Sequence, residues 1–147
     1  MLIASGIPLH LSWFHWCVSV AYFELEDLTK ALFHAEEGVS TAKKYNQRCI
    51  GGICLIQLGM VQWKSKKINM AQAEECIREG INILKDMEIK PWEAWGYLRL
   101  GELFADAGER EKALENLKRA EQMCDRMGMD LWPARTRKAL ARTQSNI

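Results

Sequence analysis

Ala31, Ala35 and Gly38 recur as Ala73, Ile77 and Gly80, and again as Ala113, Leu117 and Ala120. The offsets are 42 and 40 residues, and the internal spacing of four and three is kept each time. Residues three and four apart share one face of a helix, so each triplet places two small side chains around a third position on a single stripe. A period of this length marks a repeat array, in which each unit buries its apolar face only against its neighbours.

A second register runs ahead of the first. His15, Val18, Ser19 and Tyr22 align with Leu55, Leu58, Gly59 and Gln62, then with Tyr97, Leu100, Gly101 and Phe104. Here the offsets are 40 and then 42, complementary to the first set. Two extra residues in the middle turn, within Lys64–Met70, account for the difference. Periodicity and helix breakers predict seven helices near Leu9–Glu24, Leu28–Tyr45, Arg48–Ser65, Met70–Met87, Pro91–Ala105, Glu111–Met127 and Leu131–Thr143. Pro91 suits a first helical turn, Gly108 a hairpin turn and Gly128 a helix end, while Asp130 is placed to cap the last helix. No alternating strand pattern or hairpin dipeptide competes. Short connections make consecutive helices antiparallel.

The third repeat reads Tyr97-x-x-Leu100-Gly101-x-x-Phe104, then Gly108, then Ala113-x-x-x-Leu117-x-x-Ala120. This resembles the tetratricopeptide repeat, W-x2-L-G-x2-Y followed by A-x3-F. The second repeat departs at Gln62 and the first at Ser19, where the family has an aromatic and a glycine. The period of about 41 exceeds the usual 34 and comes near that of HEAT and armadillo repeats, which do not explain the small residues at these spacings. The resemblance implies an all-α fold: a right-handed superhelical stack of three long hairpins, over about 12–45, 52–87 and 94–127, plus a capping helix over 131–143. In the cap, Trp132, Thr136, Ala139 and Leu140 form the apolar stripe, and Arg135, Arg137, Lys138 and Arg142 the solvated side. The stretch from Ala73 to Thr143 also resembles the C-terminal region of large bacterial signalling proteins, in which a cyclase or kinase domain and an ATPase domain come first. That implies one domain over 1–147, a fragment of a longer cytoplasmic regulator.

Charge excludes some partners. Twenty basic and nineteen acidic residues leave a net charge of +1, which offers no field to gather nucleic acid or anionic lipid. Residues 1–23 lack Asp, Glu, Lys and Arg, yet Pro8, His10, Ser12, His15 and Ser19 interrupt the stretch and no basic segment precedes it, so a membrane span or export signal is not expected. Cys17, Cys49, Cys54, Cys76 and Cys124 contain no C-x-x-C pair and read as small buried hydrophobes rather than disulfides or zinc ligands. His10, His15 and His34 lack metal-ligand spacing, no phosphate loop or nucleophile elbow occurs, and the carboxylates at Glu24, Glu26, Asp27, Glu36, Glu37, Glu74 and Glu75 fall on expected solvated faces and turns, so neither catalysis, a metal nor a cofactor is expected.

The expected function is binding. First helices line the concave side in the tetratricopeptide family, and carrying the alignment over puts Trp13, Trp16, Val20 and Phe23 on that side. Ile53, Ile56, Met60 and Trp63 follow, then Trp95, Leu98 and Glu102. The residues expected to touch a partner are Trp13, Trp16, Phe23, Met60, Trp63, Trp95 and Arg99, since tryptophan is favoured at binding hot spots. The partner would be a protein or peptide segment, other domains of the same parent, or a second copy meeting the apolar N-terminal helix. The family's clamp for chaperone C-termini is not expected, because only Arg99 among Trp16, Val20, Gln57, Trp95 and Arg99 suits a carboxylate. The alternative is a sensor whose groove takes a small apolar ligand.

Overall fold

The computed structural model describes residues 7–128 and 131–145, with side chains described for 10–128 and 137–144. Seven helices and no strand occur among them: α1 (Ile7–Glu24), α2 (Leu28–Lys44), α3 (Arg48–Lys64), α4 (Met70–Asp86), α5 (Lys90–Asp106), α6 (Arg110–Met127) and α7 (Leu131–Ser145). All seven expected helices are present, with ends shifted by at most two residues. Asp130 and the side chains of Trp132, Arg135 and Thr136 lie outside the described residues. The chain divides into two compact units, Met1–Ile83 and Leu84–Ile147, with the division inside α4.

The helix ends share one device. Glu26, Asn46, Lys66, Glu88, Gly108 and Gly128 all adopt positive φ, between 54° and 83°. At the first five, the next residue's N–H reaches back to a carbonyl in the last helical turn, as in Asp27 to Tyr22 (2.9 Å) and Glu109 to Phe104 (2.8 Å). This is a Schellman closure, which satisfies carbonyls the helix leaves open. Only two of the six positions are glycine, so three long polar residues and one asparagine sit where L side chains are crowded. The α1–α2 and α5–α6 turns hold residues 25–27 and 107–109, while the α3–α4 turn holds 65–69. The two extra residues thus fall in the middle turn. There Asn69 and Gln72 form a reciprocal capping box (2.8 and 3.0 Å) that starts α4.

In the first unit, α2 packs against α1 and α3, and α1 also meets α3. Ala31, Ala35 and Val61 form a buried cluster with Tyr22, Phe23, Leu32 and Leu58 around it. In the second unit, α6 packs against α5 and α7. Ala113, Leu117 and Ala120 are fully buried, together with Leu98, Leu100, Leu103 and Phe104. On α7, Leu140 and Thr143 are buried and Arg137, Lys138 and Arg142 exposed, the two-sided character of a cap.

The crossing inside each hairpin explains the repeated pattern. A Cβ on Gly101 would stand 2.6 Å from Leu117 Cγ and 3.2 Å from the Ala113 carbonyl oxygen. Gly59 meets Ile77 Cγ1 and the Ala73 oxygen at 2.8 and 3.2 Å in the same sense. In the first hairpin Ser19 takes this place, and its hydroxyl donates to the Ala31 carbonyl at 2.8 Å. The three aligned pairs therefore meet at the same point of their hairpins.

Candidate partner-binding surface

The residues expected to bind a partner fall into two classes of exposure. Trp13, Trp16, Phe23 and Trp63 are half-buried, while Met60, Trp95 and Arg99 are buried. In the first unit, the Trp13 and Trp16 rings meet edge to face at 5.7 Å. Phe23 lies against the Ala31, Ala35 and Val61 cluster. Ile56, expected in the lining, instead sits where a Cβ on Gly80 would come within 2.7 Å of its Cγ1, so it seals the α3–α4 hairpin. Ile53 and Leu98 are likewise fully buried.

In the second unit, Trp95 meets Trp92 edge to face at 5.5 Å, and the Arg99 guanidinium lies 5.5 Å from the Trp95 ring centre. Arg99 is only 1% exposed and stands 3.7 Å from the Glu102 carboxylate. A buried guanidinium of this kind is held by an aromatic face and a carboxylate. Gln57 is equally buried and donates to Ser19 Oγ at 3.3 Å, so it serves the core and presents no amide to solvent.

Sequence spacing did not reveal a second aromatic group in the first unit. His15 Nδ1 and His34 Nδ1 lie 3.0 Å apart, one ring donating to the other. Phe14 and Phe33 meet the His34 ring edge-on at 6.2 and 5.1 Å, and Tyr22 stacks on it at 6.0 Å. Burial and then the neighbouring His34 push His15 below its ordinary value, and Glu37 offsets part of this. The two histidines are 19 residues apart and come together only because α1 and α2 fold back on each other. The second unit carries an open groove of about 630 Å³ in which Lys85, Lys90, Arg119 and Arg126 outnumber Glu88 and Glu93.

Burial pushes the Cys54 thiol up to about 12 and Cys76 to about 11, which keeps both protonated and unreactive. Cys54 and Cys124 are buried, but Cys49 and Cys76 are half-buried and Cys17 is exposed, contrary to the expectation that all five would be buried. No described helix is long and apolar enough to cross a membrane.

Repeated antiparallel hairpins, closed by a small residue against the facing helix, define a helical-repeat fold of the tetratricopeptide type. Two solved structures share it. The apo form of RapI matches with a TM-score of 0.73 at 16% identity, covering 93% of this chain and 49% of its own. Aspartyl phosphate phosphatase F from Bacillus subtilis matches with a TM-score of 0.70 at 16% identity, covering 91% of this chain and 34% of its own. The chain thus spans about half and a third of these neighbours, and at such identity the likeness is one of fold. No family model and no curated protein sequence matches the chain.

Proposed function

We propose that the chain is a protein–protein interaction module without catalysis of its own. In this reading it is one regulatory domain of a larger cytoplasmic bacterial signalling protein, and it holds an amphipathic helix or extended peptide. The observation that carries the reading is the half-buried set Trp13, Trp16, Phe23 and Trp63, which keeps aromatic surface at the solvent boundary of a rigid helical scaffold. Large aromatic rings immobilised at low entropic cost are what binding hot spots use. Met60 in the first unit, and Trp95 with Arg99 in the second, are buried and belong to the support of their own units. One structural neighbour is named for a phosphatase activity; this reading assigns the chain the repeat fold and not that activity.

The test is tryptophan fluorescence during titration with candidate partner peptides. Trp63→Ala and Trp16→Ala should each weaken binding roughly fivefold or more, the cost of truncating a hot-spot residue, with the melting temperature little changed. Trp95→Ala should lower the melting temperature as well, because that ring is buried. A peptide bound equally well by parent, Trp16→Ala and Trp63→Ala would refute the assignment. A second reading, a small-ligand sensor, rests on an open cavity of about 290 Å³ in the first unit, where Val39, Leu55 and Ile83 stand beside Lys43, Gln47, Arg48 and Glu79, so a ligand there would need polar groups beside its apolar part. Small compounds that raise the melting temperature, with no peptide response, would favour it.

A further inference from the structure

A buried carboxylate in the second unit stands without a partner. Glu93, in the first turn of α5, is 6% exposed, and among the described residues nothing hydrogen-bonds or ion-pairs with its side chain. A carboxylate withdrawn from water costs free energy until a donor reaches it. The fold does not require an acid at this place. The aligned residue is Leu11 in the first repeat and Gly51 in the second, where an added Cβ would meet only Ala42, at 3.5 Å.

Cations surround it. Glu93 lines the open groove of about 630 Å³ together with Lys85, Lys90, Arg119 and Arg126. All four cations are exposed, and none is ion-paired among the described residues. The Arg119 guanidinium lies over the Tyr97 ring, 4.3 Å from its centre, which holds its plane and leaves N–H groups at its edge for an acceptor. The N-terminal end of α5, whose cap residue Ile89 offers no side-chain acceptor, adds to the positive potential. Met123 and Met127 contribute half-buried apolar surface.

The aligned groove of the first unit shows what is particular here. It keeps Lys43 and Arg48 where this one has Lys85 and Lys90, but has Gly51 for Glu93 and Glu79 for Arg119. A pair of cations at the helix ends is common to both grooves. The buried acid and the ring-held arginine belong to the second alone.

Charge and shape identify the occupant. Small-molecule sites enclose most of their ligand, whereas this groove is open and its cations stand exposed. Four unpaired cations call for carboxylates, and the buried carboxylate calls for a positive donor. A nucleic-acid strand would satisfy the cations but brings no positive group for Glu93. We infer that the groove docks an acidic segment of a partner protein that carries one arginine among its carboxylates. The arginine fork meets Glu93 in a bidentate pair, and the flanking carboxylates meet Lys85, Lys90, Arg119 and Arg126. This site lies wholly in the second unit, so it goes beyond the aromatic set of the first and does not rest on it.

The experiment is fluorescence anisotropy of the full chain with two labelled, end-capped peptides. One has glutamates on both sides of a single arginine; the other has norleucine in place of that arginine. The parent should bind the arginine peptide roughly tenfold more tightly than the norleucine one. Glu93→Gln should bind the two alike. Lys90→Glu and Arg126→Glu should weaken both peptides by roughly tenfold or more. Those two changes are at exposed residues, so they carry the test should Glu93→Gln fail to fold. Trp16→Ala and Trp63→Ala should bind the arginine peptide as the parent does, even where they lose the partner peptides of the first unit. No binding of either peptide by the parent, a preference for arginine that survives in Glu93→Gln, or a labelled oligothymidylate bound more tightly than the arginine peptide would each overturn the proposal. A loss in Trp63→Ala as large as in Arg126→Glu would place the peptide elsewhere and overturn it too.

Discussion

The first and third hairpins solve one crossing in two ways. In the third, Gly101 has no side chain and Leu117 fills the space, with Leu117 Cδ2 only 2.7 Å from where a Cβ would stand. In the first, Ser19 brings a side chain into the crossing, and the residue equivalent to Leu117 is Ala35. Gly59 with Ile77 follows the third hairpin's solution. Bulk moved from one helix to the other, and the serine hydroxyl then took up the Ala31 carbonyl. What the repeat holds constant is the summed volume at the crossing rather than any one residue, as expected of an interior packed near crystal density.

That comparison breaks hardest at the small residue both hairpins share. Ala113 is fully buried with its carbonyl against Gly101, and Ala113→Glu places an unpaired charge and extra volume at that crossing. A loss of several kcal/mol, on the order of 3–5, should abolish the cooperative melt of that region. A variant that melts like the parent would show that the helices do not cross there. Next is Gly101→Ser, the first hairpin's residue placed in the third. With Leu117 retained it should cost about 1–3 kcal/mol by overpacking, measured by denaturant unfolding.

The turns make a gentler comparison. Glu26 and Gly108 occupy the same left-handed position, at φ 61° and 83°, and only the second is a glycine. Glu26→Gly should stabilise by about 0.5–1 kcal/mol, and Gly108→Glu should destabilise by a similar amount. An unchanged stability in both would remove the left-handed closure as an energetic term. The smallest effect concerns pH. The first hairpin carries His15 where the third has Tyr97, and His15 sits below its ordinary value in the fold. The unfolded chain takes up that proton near pH ~6.5 while the folded chain resists it, so this stability is present above that pH and is lost as pH falls below it. The melting temperature should therefore fall between neutral and mildly acidic pH, and less so in His15→Gln; equal slopes in the two proteins would contradict the sign.

Much of the fold was legible in the chain because helical hairpins are written in local periodicity. The helix ends and the longer 65–69 turn follow from offsets alone. Left-handed closures at Glu26, Lys66 and Glu88 were not, since glycine is the usual signal and these residues give none. Which apolar residues reach solvent was less legible. An apolar residue on a first helix can face its hairpin partner, the neighbouring hairpin or open solvent, and spacing alone does not separate these. Ile56 therefore proved to seal a hairpin, and Met60, Trp95 and Arg99 to be buried, while Phe14 and Phe33, which spacing did not single out, stand exposed.

The most direct test of the shared crossing is a double-mutant cycle in the first hairpin, with Ser19→Gly, Ala35→Leu and the pair read by denaturant unfolding. Ala35→Leu alone should destabilise strongly because Ser19 occupies its space. Ser19→Gly added to it should recover much of the loss, giving a favourable coupling of roughly 1 kcal/mol or more. Costs that simply add would mean that the two positions never meet, and the common packing rule for the three hairpins would fail with them.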